Sequence, residues 1–545
     1  MDRSRQPLAA PSSSPPSRSR RTRRLLAAAA LTLGLIGCGV NPVTGKKEIQ
    51  FVSEAAELQI GASHYAPTRQ SEGGDYKTLP DLSVYVNEVG QKLAAVSDRP
   101  LPYEFTVLNN SVPNAWALPG GKIAVNRGLL TALENEAELA AVLGHEIVHA
   151  AARHGAKAQE RGTLLQVGMV AAQVGVAMSD MDQNLGGLLA AGAGIGAQMI
   201  STRYGRDAER ESDYYGMEYM RRAGYDPSAA ITLQEKFVAL AQKSGTAQAS
   251  WLEGLFASHP PSEERVANNR ARLAELGTPG GDLGKERYAT RLAPLRKLAP
   301  GYEKADQAVA LARKKDLKGA KALALEAEKL VPNESHFALL RGDLELADQQ
   351  PKAALTHYER ALQLDDGYFA AWLGSGTAHY RLGNRNEAAQ RLERSAKLLP
   401  TAPALYYLGN IAKESGNVDR ALELYKGAAG SQSEIGKAAA LEYASIDVQR
   451  NPGNYIASAA QLDARGTLVA VIANRAPVAL EGLILSAVLL DGNGAIVQQG
   501  PQVQVGRALQ PGEQVVVPAG VGQIAPELVG RVRFKVDGAR PVASR

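Results

Sequence analysis

The 545-residue sequence predicts a multidomain chain: a mainly α domain with a small β-sheet, then an α-solenoid, then a C-terminal β-sandwich. Three observations predict this order. Residues 50–275 form a mixed region built around a histidine pair at helical spacing. Residues 303–450 are Ala/Leu-rich and repeat with a period near 34. From residue 455 to 545 the chain turns Val-rich, with segments divided by Gly, Asn and Pro. So long a chain exceeds one hydrophobic core, so several domains are expected.

Before the first domain comes an export leader, residues 1–37. A Pro/Ser/Arg-rich stretch ends at Arg23-Arg24, and an apolar run follows from Leu25 to Gly37. Thirteen residues are too few to span about 30 Å of hydrocarbon as a helix, so the run reads as a signal peptide rather than an anchor. It closes on Leu35-Ile36-Gly37-Cys38, which resembles a bacterial lipobox. Cleavage there would leave Cys38, the single cysteine of the chain, to be lipidated, with residues 38–49 as a lipidated tether. Several acyl chains, each contributing about 0.8 kcal/mol per buried methylene, hold a protein on a membrane where one does not. Residue 39 is Gly rather than the Asp that retains many lipoproteins at the inner membrane. By that resemblance the expected location is the periplasmic face of the outer membrane. Thr22-Arg23-Arg24-Leu25-Leu26 loosely resembles a twin-arginine signal, a common accident in such leaders.

The leader also explains the charge. It holds seven Arg and one acid, so removing it takes 61 basic and 56 acidic residues to 54 and 55. The net charge of +5 therefore belongs to the leader, and nucleic-acid binding loses its support.

Residues 50–275 carry the chemistry. His145-Glu146-Ile147-Val148-His149 lies in a helical run from Glu134 to about His154. An i, i+4 pair directs both imidazoles from one helix face, and two neutral nitrogens can bind one zinc ion. Glu146 stands beside the metal, placed as a general base toward water. A third histidine at 155 would make a metzincin, but Gly155 stands there and His154 is one position off. Further on, Glu209 and Asp213 are spaced to share a helix face. Glu209 is the expected third ligand, and Asp213 the carboxylate that accepts the free N–H of a ligand histidine. Glu211 is the competing ligand; it points about 160° away from the Asp213 face of a helix.

These segments resemble the CaaX-prenyl-protease and HtpX-like zinc peptidases, peptidase family 48. The likeness rests on Asn114-Ala115-Trp116-Ala117-Leu118-Pro119-Gly120-Gly121-Lys122-Ile123, Arg127-Gly128-Leu129-Leu130, the His145–His149 helix with Arg153-His154, and the Glu209 segment. Asn41-Pro42-Val43-Thr44-Gly45 resembles the tether of lipoprotein members. Gly205 and Ser212 replace the family's usual Ser and Ala, both small changes. The resemblance implies a zincin-like (gluzincin) fold and a metalloendopeptidase with one zinc ion per subunit. It also implies a removable fourth ligand or oxyanion contact at His259, in Ser258-His259-Pro260-Pro261; a packing histidine is the plain alternative. Unfolded or misassembled envelope proteins would be its substrates, and the outer-membrane β-barrel assembly machinery a partner. A zinc-bound chaperone or scaffold in the same process is the alternative function.

Two further stretches have competing readings. Lys122-Ile123-Ala124-Val125-Asn126 suits an edge strand to which an extended substrate could add, or else a core strand. Leu164–Met178 and Leu185–Met199 are Gly/Ala-rich and apolar, either a buried helical hairpin or a mobile lid.

In the helical stretch, Ala320, Ala354, Ala388 and Ala421 fall in register, with Ala324, Tyr358, Leu392 and Tyr425 four residues later. Gly383 and Gly416 occupy turns, and Pro332 and Pro400 close helices. This is similar to the tetratricopeptide repeat, whose stacked helix pairs make a concave protein-binding surface. His336, His357 and His379 have no metal spacing and read as packing or surface residues. In the tail, Thr467–Ala473, Ala479–Leu490 and Gln514–Pro518 are expected strands, with turns at Asp491-Gly492-Asn493-Gly494 and Gln510–Glu513. The tail resembles small immunoglobulin-like domains.

Overall fold

The computed structural model describes residues 37–158, 160, 204–243, 259–278 and 280–542. The apolar run of the expected leader, up to Ile36, and both Gly/Ala-rich stretches at 164–178 and 185–199 lie outside the described residues. The chain divides into two compact units, Met1–Lys297 and Leu298–Arg545. Among the described residues, no helix is long and apolar enough to cross a membrane.

The first unit opens with a short antiparallel pair, β1 (Gly37–Val40) and β2 (Lys47–Gln50), which places Cys38 opposite Ile49. Helices α1 (Glu54–Ser71) and α2 (Pro80–Ala94) lead into three short strands: β3 (Glu104–Leu108), β4 (Ala115–Leu118) and β5 (Lys122–Asn126). Their order is β3-β5-β4, with β5 parallel to β3 and antiparallel to β4. Thus, among the described residues, 122–126 form the central strand: of the two readings the core strand holds and the edge strand does not. Both flanks of β5 are hydrogen-bonded, and Ile123, Ala124 and Val125 are fully buried; an edge strand would leave one row of backbone groups open. The edge on that side is β4.

Short α3 (Arg127–Ala132) is followed by α4 (Glu136–Ala151), then α5 (Arg206–Arg222), α6 (Ala229–Lys243) and α7 (Glu263–Glu275). Every residue of α4 is buried. Its start is fixed by Asn135, whose side chain accepts from the Glu138 N–H at 2.9 Å, the preferred chemistry of an N-cap. Glu136 anchors the same end. It accepts two 2.7 Å bonds from Arg287 and bonds from the Tyr85 and Tyr225 hydroxyls at 2.7 and 2.8 Å.

Burial by itself would raise the Glu136 carboxyl, but Arg287 and the two tyrosines outweigh it and hold it below its usual value of 4.5. A folded pKa below the unfolded one means stability present above pH 4.5 and lost as pH falls through the folded value. Glu136→Gln is therefore expected to lower stability by about 1–3 kcal/mol at pH 7. That gap should close on acidification below pH 4.5, as read by thermal unfolding of both forms across pH.

Helix α8 (Lys285–Arg313) contains Ala299-Pro300-Gly301, and the division between the two units falls beside that stretch, at Lys297 and Leu298. Pro300 removes one backbone donor, yet the apolar face persists on both sides, with Leu292, Leu295, Tyr302 and Ala305 buried. Packing thus outweighs the local penalty.

In the second unit, α9 (Leu317–Leu330), α10 (Ser335–Ala347), α11 (Pro351–Leu364), α12 (Phe369–Arg381), α13 (Arg385–Leu398), α14 (Ala402–Glu414) and α15 (Val418–Ala429) follow one another through short connections. Helix starts at 317, 351, 385 and 418 reproduce the 34-residue period. Ala320, Ala354, Ala388 and Ala421 are all fully buried, as are Tyr358, Leu392 and Tyr425. The Tyr358 ring fits between Gly342 and Gly374, where an added Cβ would approach it to 2.6 and 2.3 Å. Turn glycines Gly383 and Gly416 take φ of +83° and +79°, a conformation that favours glycine.

After α16 (Glu434–Arg450) come two three-stranded antiparallel sheets. One has the order β10 (Gln514–Gln523), β7 (Thr467–Asn474), β6 (Ile456–Leu462). The other has β11 (Val532–Pro541), β8 (Leu480–Leu490), β9 (Ile496–Gln504). A single apolar cluster joins Ile456 and Ile472 of the first sheet to Leu483, Leu485 and Ala539 of the second.

Candidate metal centre

The centre forms where α4 meets α5. Gly144 and Gly216 let the two helices approach closely: a Cβ on Gly144 would lie 3.2 Å from the Gly216 carbonyl oxygen, and one on Gly216 3.2 Å from the His145 nitrogen. At that approach, the Glu209 and Asp213 side chains of α5 reach the His145–His149 face of α4.

Four donor groups converge: His145, His149, Glu209 and His259, with one ligand atom of each lying within 4.8 Å of the others. All four are buried. His145 Nε2 is 3.0 Å from His149 Nε2 and 3.3 Å from His259 Nδ1. The Glu209 oxygens lie 3.5 Å from His145 Nε2, 3.4 Å from His149 Nε2 and 3.0 Å from His259 Nδ1. Glu146 faces the cluster with Oε1 3.5 Å from His259 Nε2, and its Oε2 is buried without a hydrogen-bond partner among the described residues.

Around this cluster stands a ring of supports. Asp213 Oδ1 is 2.9 Å from His145 Nδ1, and Arg265 of α7 clamps Asp213 with two 2.7 Å bonds. Arg265 also reaches Glu209 at 3.2 Å. Tyr204 stacks on the His149 ring at 4.0 Å between centroids. Glu211, the competing ligand, does not join the donors: it reaches His154 Nε2 at 3.3 Å and Lys46 at 3.1 Å. Sequence reasoning missed Arg265, Tyr204 and the part of His154. A lone Arg three residues after Ser262 carries no metal signature, and only the fold brings it under Asp213.

The electrostatics concentrate negative charge at one point. Burial is the largest influence on both ligand-spaced rings and lowers His149 well below its usual value. At His145 the Asp213 and Glu209 carboxylates outweigh burial and raise the ring to about 10. Burial would raise Glu209, yet His259, His145 and His149 pull it far below the carboxylate range. Burial also raises Glu146, more than its cationic neighbours lower it.

These residues fit a divalent metal. Asp213 can only accept, so His145 Nδ1 carries a proton; the raised pKa puts a second one on Nε2 in the metal-free chain, and a divalent ion would displace it to take the Nε2 lone pair. That lone pair faces another ring nitrogen and a carboxylate at 3.0–3.5 Å. Such converging buried acceptors need a cation between them.

Comparison with known proteins agrees with this chemistry. Residues 80–273 match the model of peptidase family M48, and residues 345–410 match a tetratricopeptide repeat model. The mitochondrial metalloendopeptidase OMA1 of Schizosaccharomyces pombe is 34% identical over 243 residues, covering 43% of this chain and 66% of that protein. The beta-barrel assembly-enhancing protease of Escherichia coli (strain K12) is 29% identical over 259 residues, covering 46% and 51%. Hence the chain spans between half and two thirds of the length of these curated relatives. Among solved structures, MamA covers 26% of this chain and 84% of its own at 22% identity and a TM-score of 0.24. Residues 80–273 of this chain therefore belong to peptidase family M48, with tetratricopeptide repeats behind them.

Proposed function

We propose that the chain is a zinc-dependent endopeptidase of the bacterial envelope that cleaves unfolded or stalled proteins. It would be held by a lipidated Cys38 to the periplasmic face of the outer membrane. The observation that carries the peptidase reading is the buried Glu146 carboxylate, with an oxygen unpartnered among the described residues, beside four converging donors. His145, His149 and Glu209 are the proposed ligands, in a zincin-like domain of residues 50–275. A bound zinc ion acts as a Lewis acid, polarising a carbonyl and making water nucleophilic at neutral pH. Glu146 takes the proton from the attacking water and returns it to the leaving amine nitrogen as the C–N bond breaks. Asp213, held by Arg265, keeps His145 in the tautomer that offers Nε2.

His259 has both nitrogens engaged, one toward Glu209 and one toward Glu146. We assign it as a removable fourth ligand that restrains the resting enzyme. His259→Ala should then raise basal cleavage by about 10-fold, the scale of one lost ground-state contact, whereas an oxyanion contact would make it fall.

An apolar recess beside His145 and Glu146, lined by Val142, Met217, Met220, Leu233 and Phe237, suits an apolar substrate side chain next to the scissile bond. Among the described residues β4, rather than β5, is the edge strand to which an extended segment would add. The repeats of residues 303–450 would recruit substrates or the β-barrel assembly machinery; the name of the Escherichia coli relative supports that partner. Residues 455–545, read as an immunoglobulin-like β-sandwich, would space or bind.

Incubation of the purified chain with an unfolded protein tests the reading. Cleavage should vanish on chelation and return on adding zinc; cleavage indifferent to chelation would refute it.

A further inference from the structure

Both ligand-spaced rings of α4 have a second nitrogen, and α5 backs them from two residues that lie two apart. Asp213 backs His145 directly. His149 is backed at one remove: its Nδ1 is 2.9 Å from His154 Nδ1, and His154 Nε2 is 3.3 Å from a Glu211 oxygen. The order of protons along this line is forced. A Glu211 carboxylate only accepts, so His154 Nε2 must donate to it. With a neutral ring, His154 Nδ1 is then bare and accepts the Nδ1–H of His149. The His149 Nε2 lone pair is thereby turned toward His145 and Glu209.

His154 can do this because the chain reverses just before it. Arg153 adopts φ of +63° after α4 ends at Ala151, a costly conformation for a side chain with a Cβ. Buried Glu57 compensates, accepting from Arg153 Nε at 2.9 Å and from both terminal nitrogens of Arg99 at 2.9 and 3.0 Å. The amino-terminal segment straps the same corner. Buried Asn41 donates to the Ala152 carbonyl at 3.2 Å, and Glu160 accepts from the Phe51 and Val52 N–H groups at 2.9 and 2.8 Å. Arg153 donates to the Val52 carbonyl, and Lys46, exposed in that segment, caps the Glu211 end of the line.

We propose that His154 is a positioning residue that fixes the tautomer and orientation of His149. Residues 41–57, the segment next to the lipidation cysteine, hold it in place, so that the metal centre is complete only with that segment docked. This rests on the reading of His149 as a metal ligand. No metal reaches His154 itself; it acts through the ring it faces.

Zinc competition against a chromophoric chelator, on the full chain purified in detergent, tests the proposal. His154→Ala should weaken zinc binding by about 10–100-fold, the range found when an outer partner of a ligand histidine is lost. His154→Gln offers an acceptor and a donor at similar spacing and should recover most of the affinity. Glu211→Ala should fall between them, and Lys46→Ala should stay within about 3-fold, because an exposed ion pair contributes little. The visible spectrum of the cobalt-loaded chain should change for His154→Ala and not for His154→Gln. Zinc binding by His154→Ala within twofold of the parent, with an unaltered cobalt spectrum, would overturn the proposal alone. Equal losses in His154→Ala and His154→Gln, matched by equal falls in the metal-free unfolding temperature, would show a packing role and overturn it too. A parent chain that binds no zinc would overturn the metal reading itself.

Discussion

Glu146→Gln is expected to abolish peptide cleavage while leaving zinc bound. Glu146 is not among the four converging donors, and its Oε2 is buried with no partner among the described residues. A carboxylate left so exposed to its own desolvation penalty is costly unless it has work to do with a proton. Glutamine keeps the shape and the hydrogen-bonding capacity but cannot accept a proton from water. General-base catalysis contributes about 10²–10⁴-fold, so kcat should fall by that order. The zinc dissociation constant should stay within about 3-fold, less than the 10–100-fold of an outer-partner loss. Fluorescent casein hydrolysis and chelator competition on the same preparation read both quantities. A Glu146→Gln chain that still cleaves would remove Glu146 from the mechanism. If cleavage is lost but the variant restores envelope assembly to cells lacking the chain, the scaffold reading gains and the protease reading loses its biological weight.

The sequence made some of this arrangement legible and hid the rest for identifiable reasons. Local patterns were readable wherever one helix face carries the signal. His145 and His149 sit one turn apart, Glu209 and Asp213 likewise, and the alanines of the repeats recur because small residues are needed where paired helices touch. Strands rich in Val, Ile or Leu, such as β7 and β8, were readable because both are central in their sheets. β6 and β9 are edge strands carrying Ala or Gln, and little in their composition marks them, whereas β11 carries the Val532-Phe534-Val536 alternation of a strand and went unread. The position of β5 was invisible, since its two neighbours come from separate segments and only pairing decides which strand lies in the middle. Likewise Arg265 and Lys46 reach the centre from far along the chain, Arg265 lying 52 residues after Asp213 and Lys46 165 before Glu211. Contacts of that range have no sequence period to betray them.

The choice between Glu209 and Glu211 shows where periodicity reaches furthest, and it yields the second large effect. Residues 209 and 213 lie one turn apart on α5 and both face α4; residue 211 lies on another side of the same helix. Glu209 touches His145, His149 and His259 within 3.5 Å, whereas Glu211 touches His154 and Lys46. Held to about 2 first by the His154 bond, Glu211 is a charged acceptor outside the donor cluster. Glu209→Gln removes the one negative charge among the four donors, so zinc affinity should fall by more than the roughly 100-fold ceiling for an outer partner, and cleavage should fall with it. Glu211→Gln keeps an oxygen acceptor for His154 and should lose no more than about 10-fold, the lower end of that range. Measured side by side, the two variants separate ligand from support. If Glu211→Gln loses the metal and Glu209→Gln keeps it, the donor set must be redrawn around Glu211, and the close helix contact at Gly144 and Gly216 would no longer be what brings the third ligand to the metal.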